Sequence, residues 1–260
     1  MKMYIADAFT DQLFKGNPAA VCFVKHWPSE QLMKNIAMEN RFSETAFAIK
    51  TTPDHYLLRW FTPGGEIDLC GHATLATAFI IFQNDPPKGD IITFTTSRSG
   101  DLTVTKQGDR YAMAFPAYRL TPLTVTDEMT AVFGVQPREA YLGRDLLCVF
   151  NDVQDVIDMK PDQEKLAKLP GLLQNVTAAG NQYDCVSRSF APKLNVAEDP
   201  VCGSGHCHII PYWSKRLGKN ELAAYQASAR GGILYCRDEG DTISLAGNAV
   251  LYSSGELQIN

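Results

Sequence analysis

The chain has no run of basic residues, no low-complexity stretch and no long apolar segment. Its longest apolar stretch, Ala73 to Phe82, falls well short of the ~20 residues that a membrane-spanning helix needs. The 24 basic and 29 acidic residues leave a net charge of −5, and no basic patch stands ready to neutralise phosphate, so neither nucleic acid nor a membrane is an expected partner. The opening Met1-Lys2-Met3-Tyr4-Ile5-Ala6-Asp7-Ala8-Phe9 alternates like a strand and lacks the pattern of a signal peptide, which points to a cytoplasmic protein. Cysteine is present seven times, an odd number scattered through a chain too large to need staples, so reduced thiols are expected and a disulfide framework is not.

What is present repeats. Phe61-Thr62-Pro63 leads through Glu66 and Asp68 to Cys70-Gly71-His72, and Phe190-Ala191-Pro192 leads through Glu198 and Asp199 to Cys202-Gly203-Ser204. Each copy follows a strand-like run and precedes an apolar segment with helical character. Around them the chain reads as alternating elements. Strands are expected at 2–9, 19–24, 43–49 and 56–61, a helix from Ser29 to about Met38, and a buried helix from Thr74 to Phe82. A three-strand meander spans 91–115. After a boundary at Pro116 to Pro122 come a helix at 126–133, extended chain at 140–150, a helix at 162–168 and a strand at 183–190. A helix from His206 to Leu217 ends at Gly218, and four strands close the chain, the last two joined by a Gly247-Asn248 hairpin turn. The expected organisation is α+β: two similar lobes, 1–118 and 119–260, with the terminal strand free to cross between lobes and one active site where the two turns meet.

A Cys-Gly turn before a helix sets a thiol and free backbone N–H groups at the positive end of the helix dipole, where an anion is stabilised. Cys70 or Cys202 could there lose its proton more readily than a free thiol of pKa about 8.5 and act as base or nucleophile. Alternatively both are small residues filling tight turns. Asp199, with Glu66 and Asp68 as first-lobe counterparts, reads from its place in the turn as a cap or a solvated side chain. His72, directly after Gly71, is placed to give a proton to a bound anion. Glu44 shares a strand face with Ala46 and Ala48; if buried there, desolvation brings its carboxyl into the range of a general acid or base. The segment Cys202 to His208 is rich in ligand types, but adjacent His206 and Cys207 fit one tetrahedral ion poorly, so no metal is expected and His206 is read as packing.

These motifs, with Asp7-Ala8-Phe9-Thr10, Gly16-Asn17-Pro18-Ala19-Ala20-Val21, Ser43-Glu44-Thr45-Ala46-Phe47, Arg59-Trp60-Phe61-Thr62-Pro63, Ser187-Arg188-Ser189-Phe190-Ala191-Pro192, Gln226-Ala227-Ser228 and Arg230-Gly231-Gly232, closely resemble the PhzF, or phenazine-biosynthesis-like, family of isomerases nearly end to end. The resemblance implies a diaminopimelate epimerase-like fold, two pseudo-symmetric lobes each with a sheet wrapped around a central helix. It implies a cofactor-independent proton shift on a small carboxylic acid, and a homodimer. Residue by residue it implies Glu44 as the base on carbon, His72, Asp199 and Ser204 as polar partners, and Gly71 and Gly203 as N–H donors to the substrate carboxylate, with Ser43 and Asn17 also at the substrate. Many family members carry threonine where this chain has Cys202. Related epimerases use two facing cysteines, so a two-thiol epimerase built on Cys70 and Cys202 is the alternative, and a non-catalytic small-molecule-binding protein is a further one.

Overall fold

The computed structural model describes residues 1–259, and its contacts divide them into two units: Met1–Met113 together with the segment from Ala246 onward, and Ala114–Leu245.

In the first unit, strand Lys2–Ala8 lies between two antiparallel neighbours, Asn17–Phe23 and Ala249–Glu256. Gly247-Asn248, expected as a hairpin turn, instead delivers the last strand to that pairing: the Asn248 carbonyl accepts the N–H groups of Phe9 and Thr10. Asn17–Phe23 runs parallel to Glu44–Thr52, and helix Glu30–Asn40, capped by Ser29, makes the crossover. Glu44–Thr52 pairs antiparallel with His55–Thr62, whose end is hooked by the short strand Gly65–Ile67. A second crossover, helix Gly71–Asn84, returns the chain to Ile91–Thr96, parallel to His55–Thr62; Asp101–Gln107 and Arg110–Pro116 complete the meander.

That second crossover helix is the centre of its unit. Every residue from His72 to Phe82 is buried, so the helix is apolar all round and the sheet encloses it. It begins at Gly71, three residues before the expected start, because Cys70 is extended (φ −142°, ψ 110°) and already serves as N-cap.

The second unit repeats this plan strand for strand. Glu139–Leu142 and Leu146–Val149 are antiparallel, Leu146–Val149 is parallel to Gln174–Ala179, and Gln174–Ala179 is antiparallel to Cys185–Ala191. The hook is Val196–Asp199, the central helix is Gly203–Leu217, and Glu221–Gln226 returns parallel to Cys185–Ala191 before Gly232–Asp238. Besides the hook, two elements that shape the crossover and the sheet here were not expected. Helix Val153–Ile157, capped by Asp152, shares the outer crossover with Gln163–Leu166. Strand Gln174–Ala179 has no alternating pattern because its polar Gln174, Asn175 and Thr177 are as buried as Val176.

Helix Gly203–Leu217 starts three residues earlier than expected and carries Pro211 inside it. Pro211 has no N–H for the carbonyl four residues back. That carbonyl, of Cys207, is instead taken by the N–H of Tyr118 at 3.1 Å. The cost of an internal proline thus becomes an anchor for a distant segment.

Candidate active site

In the first unit, the strand opening at Glu44 and the helix opening at Gly71 bring Glu44, Cys70 and His72 together. Glu44 Oε2 lies 3.2 Å from His72 Nε2, and Cys70 Sγ lies 3.5 Å from His72 Nδ1. The Glu44–His72 contact is close without being aligned as a hydrogen bond. The Glu44 side chain is only 16% exposed, and that burial raises its pKa; hydrogen bonds from Ser43 and Cys70 offset this in part. A carboxylate that accepts a proton readily, beside an imidazole and at a helix start with no acidic residue in its first turn, is equipped for proton transfer. Donor atoms of Glu44, Cys70 and His72 also lie within 4.8 Å of one another, so among the described residues these, and not the segment Cys202 to His208, form a group that could hold a metal ion.

Glu66 and Asp68 correct the sequence reading. They hold arginines: Glu66 takes Arg59 through both oxygens at 2.7 Å, and Asp68 takes Arg98 at 2.8 Å. The Arg59 hydrogen bonds draw the Glu66 carboxyl below its usual pKa. In the second unit Arg188 grips Glu198 at 2.8 and 2.9 Å, so Glu66 matches Glu198 and not Asp199. Each arginine also lies over the phenylalanine two residues on, at 5.2 Å for Arg59 on Phe61 and 5.0 Å for Arg188 on Phe190. The signal was in the sequence, as Arg-x-Phe before each turn.

In the second unit Cys202 caps helix Gly203–Leu217, its sulfur accepting the Gly205 N–H at 3.3 Å. Its own N–H donates to Gln226 Oε1 at 2.8 Å, and Gln226 Nε2 donates to the Asp199 carbonyl at 2.6 Å. Asp199 Oδ1 accepts from the Val201 N–H at 3.1 Å and closes the turn. Ser204 Oγ lies 3.5 Å from Cys202 Sγ. Of the two readings of this thiol, its surroundings favour the residue that fills a turn: burial and the nearby Asp199 hold it well above its usual pKa, outweighing the Ser204 and Gly205 hydrogen bonds. All seven cysteines are buried thiols and no disulfide forms among the described residues.

His206 is wholly buried, as its packing role requires. Its Nδ1–H donates to the Cys202 carbonyl at 2.7 Å, and burial lowers its pKa to about 4. A folded value below the unfolded 6.5 means the unfolded chain binds the extra proton, so stability is full above 6.5 and is lost as pH falls through about 4. At 1.36 kcal/mol per unit the loss attributable to His206 is about 3 kcal/mol. Urea midpoints of wild type and His206→Gln, measured from pH 7.5 to 4, are expected to converge as pH falls; parallel curves would exclude this role.

The chain matches the phenazine biosynthesis-like protein family over residues 6–255. It is 42% identical over 259 residues to an uncharacterized isomerase of Pseudomonas aeruginosa, covering 100% of this chain and 99% of that one. A PhzF family protein of Enterococcus faecalis superposes with a TM-score of 0.96 at 47% identity, over 99% of each chain. A probable proline racemase of Agrobacterium radiobacter, at 8% identity, covers 100% of this chain and 93% of its own with a TM-score of 0.65, a likeness of fold alone. The architecture is therefore the diaminopimelate epimerase-like fold. The chain belongs to the phenazine biosynthesis-like, or PhzF, family and is an isomerase. Among the described residues no helix is long and apolar enough to cross a membrane.

Proposed function

We propose that this isomerase shifts a proton on a small carboxylic acid without a cofactor, with Glu44 as the general acid/base. The observation that carries the reading is the buried carboxyl of Glu44, raised in pKa and 3.2 Å from His72. Glu44 takes the proton from a carbon next to an unsaturated or carboxyl-stabilised centre. The electron pair left behind delocalises, and the proton returns at another carbon, so substrate and product share one formula. His72 stabilises the charge that develops. On the strength of the family resemblance, Asp199 and Ser204 are polar partners, Gly71 and Gly203 lend N–H groups to the carboxylate, and Ser43 and Asn17 complete the substrate contacts. The place of Ser43 at the substrate is supported by its side-chain hydrogen bond to Glu44. The reading includes a cytoplasmic homodimer.

The rival two-thiol epimerase needs Cys202 to lose a proton that its surroundings hold tightly. Incubation in deuterated water with dihydro-hydroxyanthranilate, diaminopimelate, proline, hydroxyproline and simple amino acids, followed by mass spectrometry, tests the reaction class. Deuterium at carbon is expected with one of these acids, and Cys202→Ala is expected to keep at least one-tenth of the wild-type rate. Loss of exchange in both Cys70→Ala and Cys202→Ala, with Glu44→Gln nearly unaffected, would establish the thiol mechanism instead.

A further inference from the structure

Ser204 is held by a ring of side chains from separate parts of the second unit. Arg144 Nη2 donates to Ser204 Oγ at 2.9 Å. Arginine has donors only, so the serine oxygen must accept, and its own O–H is left to donate, either to the weak acceptor Cys202 Sγ 3.5 Å away or to a ligand. Arg144 is itself fixed by both oxygens of Asp145, at 2.9 and 2.7 Å, and by the Tyr118 ring, 5.1 Å from its guanidinium carbon. Asp145 is fully buried, and its N–H donates to His208 Nε2 at 3.2 Å. An Nε2 that accepts leaves the proton of the neutral imidazole on Nδ1, which lies 3.1 Å from the Ser204 carbonyl. The Tyr118 ring stacks on His208 at 4.3 Å and 10°, and Tyr118 is pinned by the Cys207 carbonyl that Pro211 leaves open. Both the hydroxyl and the carbonyl of Ser204 are thereby set from one frame.

This frame has a chemical consequence. Arg144 keeps about a third of its side chain exposed, so its charge is within reach of a ligand at the helix start. The first-turn N–H groups of Gly203 and Ser204 have no intrahelical acceptors. Around Ser204 the available groups are therefore N–H and O–H donors, with an arginine behind them whose charge is balanced by Asp145, a set that suits a carboxylate. We propose that Arg144 is a positioning residue: it fixes the Ser204 hydroxyl as a donor to the substrate's carboxylate, with Asp145, His208 and Tyr118 holding Arg144 and Ser204 in register. This rests on the proton-shift reading above and adds to it the group that recognises the acid.

The test compares Arg144→Gln, Arg144→Lys, Ser204→Ala and Arg144→Gln/Ser204→Ala, using the panel acid that exchanges deuterium. Loss of one charged hydrogen bond is worth roughly 10- to 100-fold, and Arg144→Gln is expected to raise KM by about that factor while kcat changes less. Arg144→Lys is expected to recover part of the loss. In the Ser204→Ala background the Arg144→Gln penalty is expected to shrink below about threefold, because the residue acts through Ser204. An equal penalty in both backgrounds, or an unchanged KM, would overturn the proposal while leaving Glu44 chemistry intact. Since Arg144→Gln strands Asp145, Arg144→Gln/Asp145→Asn is measured beside it and is expected to show the same KM effect. If the wild type exchanges none of the acids, the proton-shift reading fails, and amide shifts of Gly203 and Ser204 titrated with sodium benzoate decide this one. Saturable shifts weakened about tenfold or more by Arg144→Gln support it; equal affinity, or no shift in the wild type, overturns it.

Discussion

Glu44→Gln is expected to slow deuterium exchange at substrate carbon by about 10²–10⁴-fold, the usual worth of a positioned general base. The side chain keeps its shape and loses only the ability to take a proton. The same substitution is expected to stabilise the fold at neutral pH, and the sign follows from linkage. Burial raises the Glu44 pKa above its ordinary value of 4.5, so between the two values the folded protein holds a proton that the unfolded chain has already released. Below 4.5 the two states differ little in protonation, and wild type and variant should unfold alike. As pH rises through the folded value, wild type loses stability and the glutamine variant does not. A variant less active yet more heat-resistant at pH 8, with the advantage gone near pH 4, is the expected pattern. A variant destabilised equally at all pH values would show that the Glu44 charge costs the fold nothing.

Gly16→Ala is expected to be the most damaging single methyl group in the first unit. Gly16 has φ +65°, and a Cβ there would sit 2.1 Å from the Ala8 carbonyl oxygen and 2.7 Å from Thr10 Cγ2. Left-handed backbone alone costs an alanine roughly 1–2 kcal/mol. The clash is with backbone of the central strand Lys2–Ala8, which cannot swing aside as a flexible side chain would. A total loss of about 2–4 kcal/mol is expected, a large share of the ~5–15 kcal/mol that holds a typical domain. Urea unfolding would read it directly as a drop in midpoint at unchanged slope. Gly100→Ala, at φ +70° but with nothing within 4 Å of its Cβ, separates the two terms and is expected to show the backbone cost only.

The contrast between these two positions bears on what could be read in advance. Gly16-Asn17-Pro18 was legible as a turn, but nothing local says that Ala8 passes behind it. The duplication was legible because each unit repeats its signals in order, and the two central helices stood out through their apolar runs. Their first turns were read three residues late, since Gly71 and Gly203 look like turn residues until Cys70 and Cys202 are seen to cap them. Strand Gln174–Ala179 was hidden because its buried Gln, Asn and Thr break the period that marks a strand. At the site, Glu44, Cys70 and His72 were found through local pattern and family resemblance together. Glu66 was read only as a cap or a solvated side chain, because a carboxylate near a turn looks the same whether it faces water or an arginine such as Arg59. Arg144, Asp145 and His208 were missed because their meaning depends on a contact across 60 residues of chain, from Arg144 to Ser204.

The central claim is that burial raises the pKa of Glu44 above that of an ordinary carboxyl and so equips it to take up a proton. It is tested most directly by a ¹³C NMR titration of the side-chain carboxyl of Glu44, in protein labelled at glutamate and assigned by the signal missing from Glu44→Gln. A midpoint clearly above 4.5 is predicted. A midpoint at or below that value would mean that Glu44 stands charged throughout, and the account of this site as a buried acid/base would be wrong.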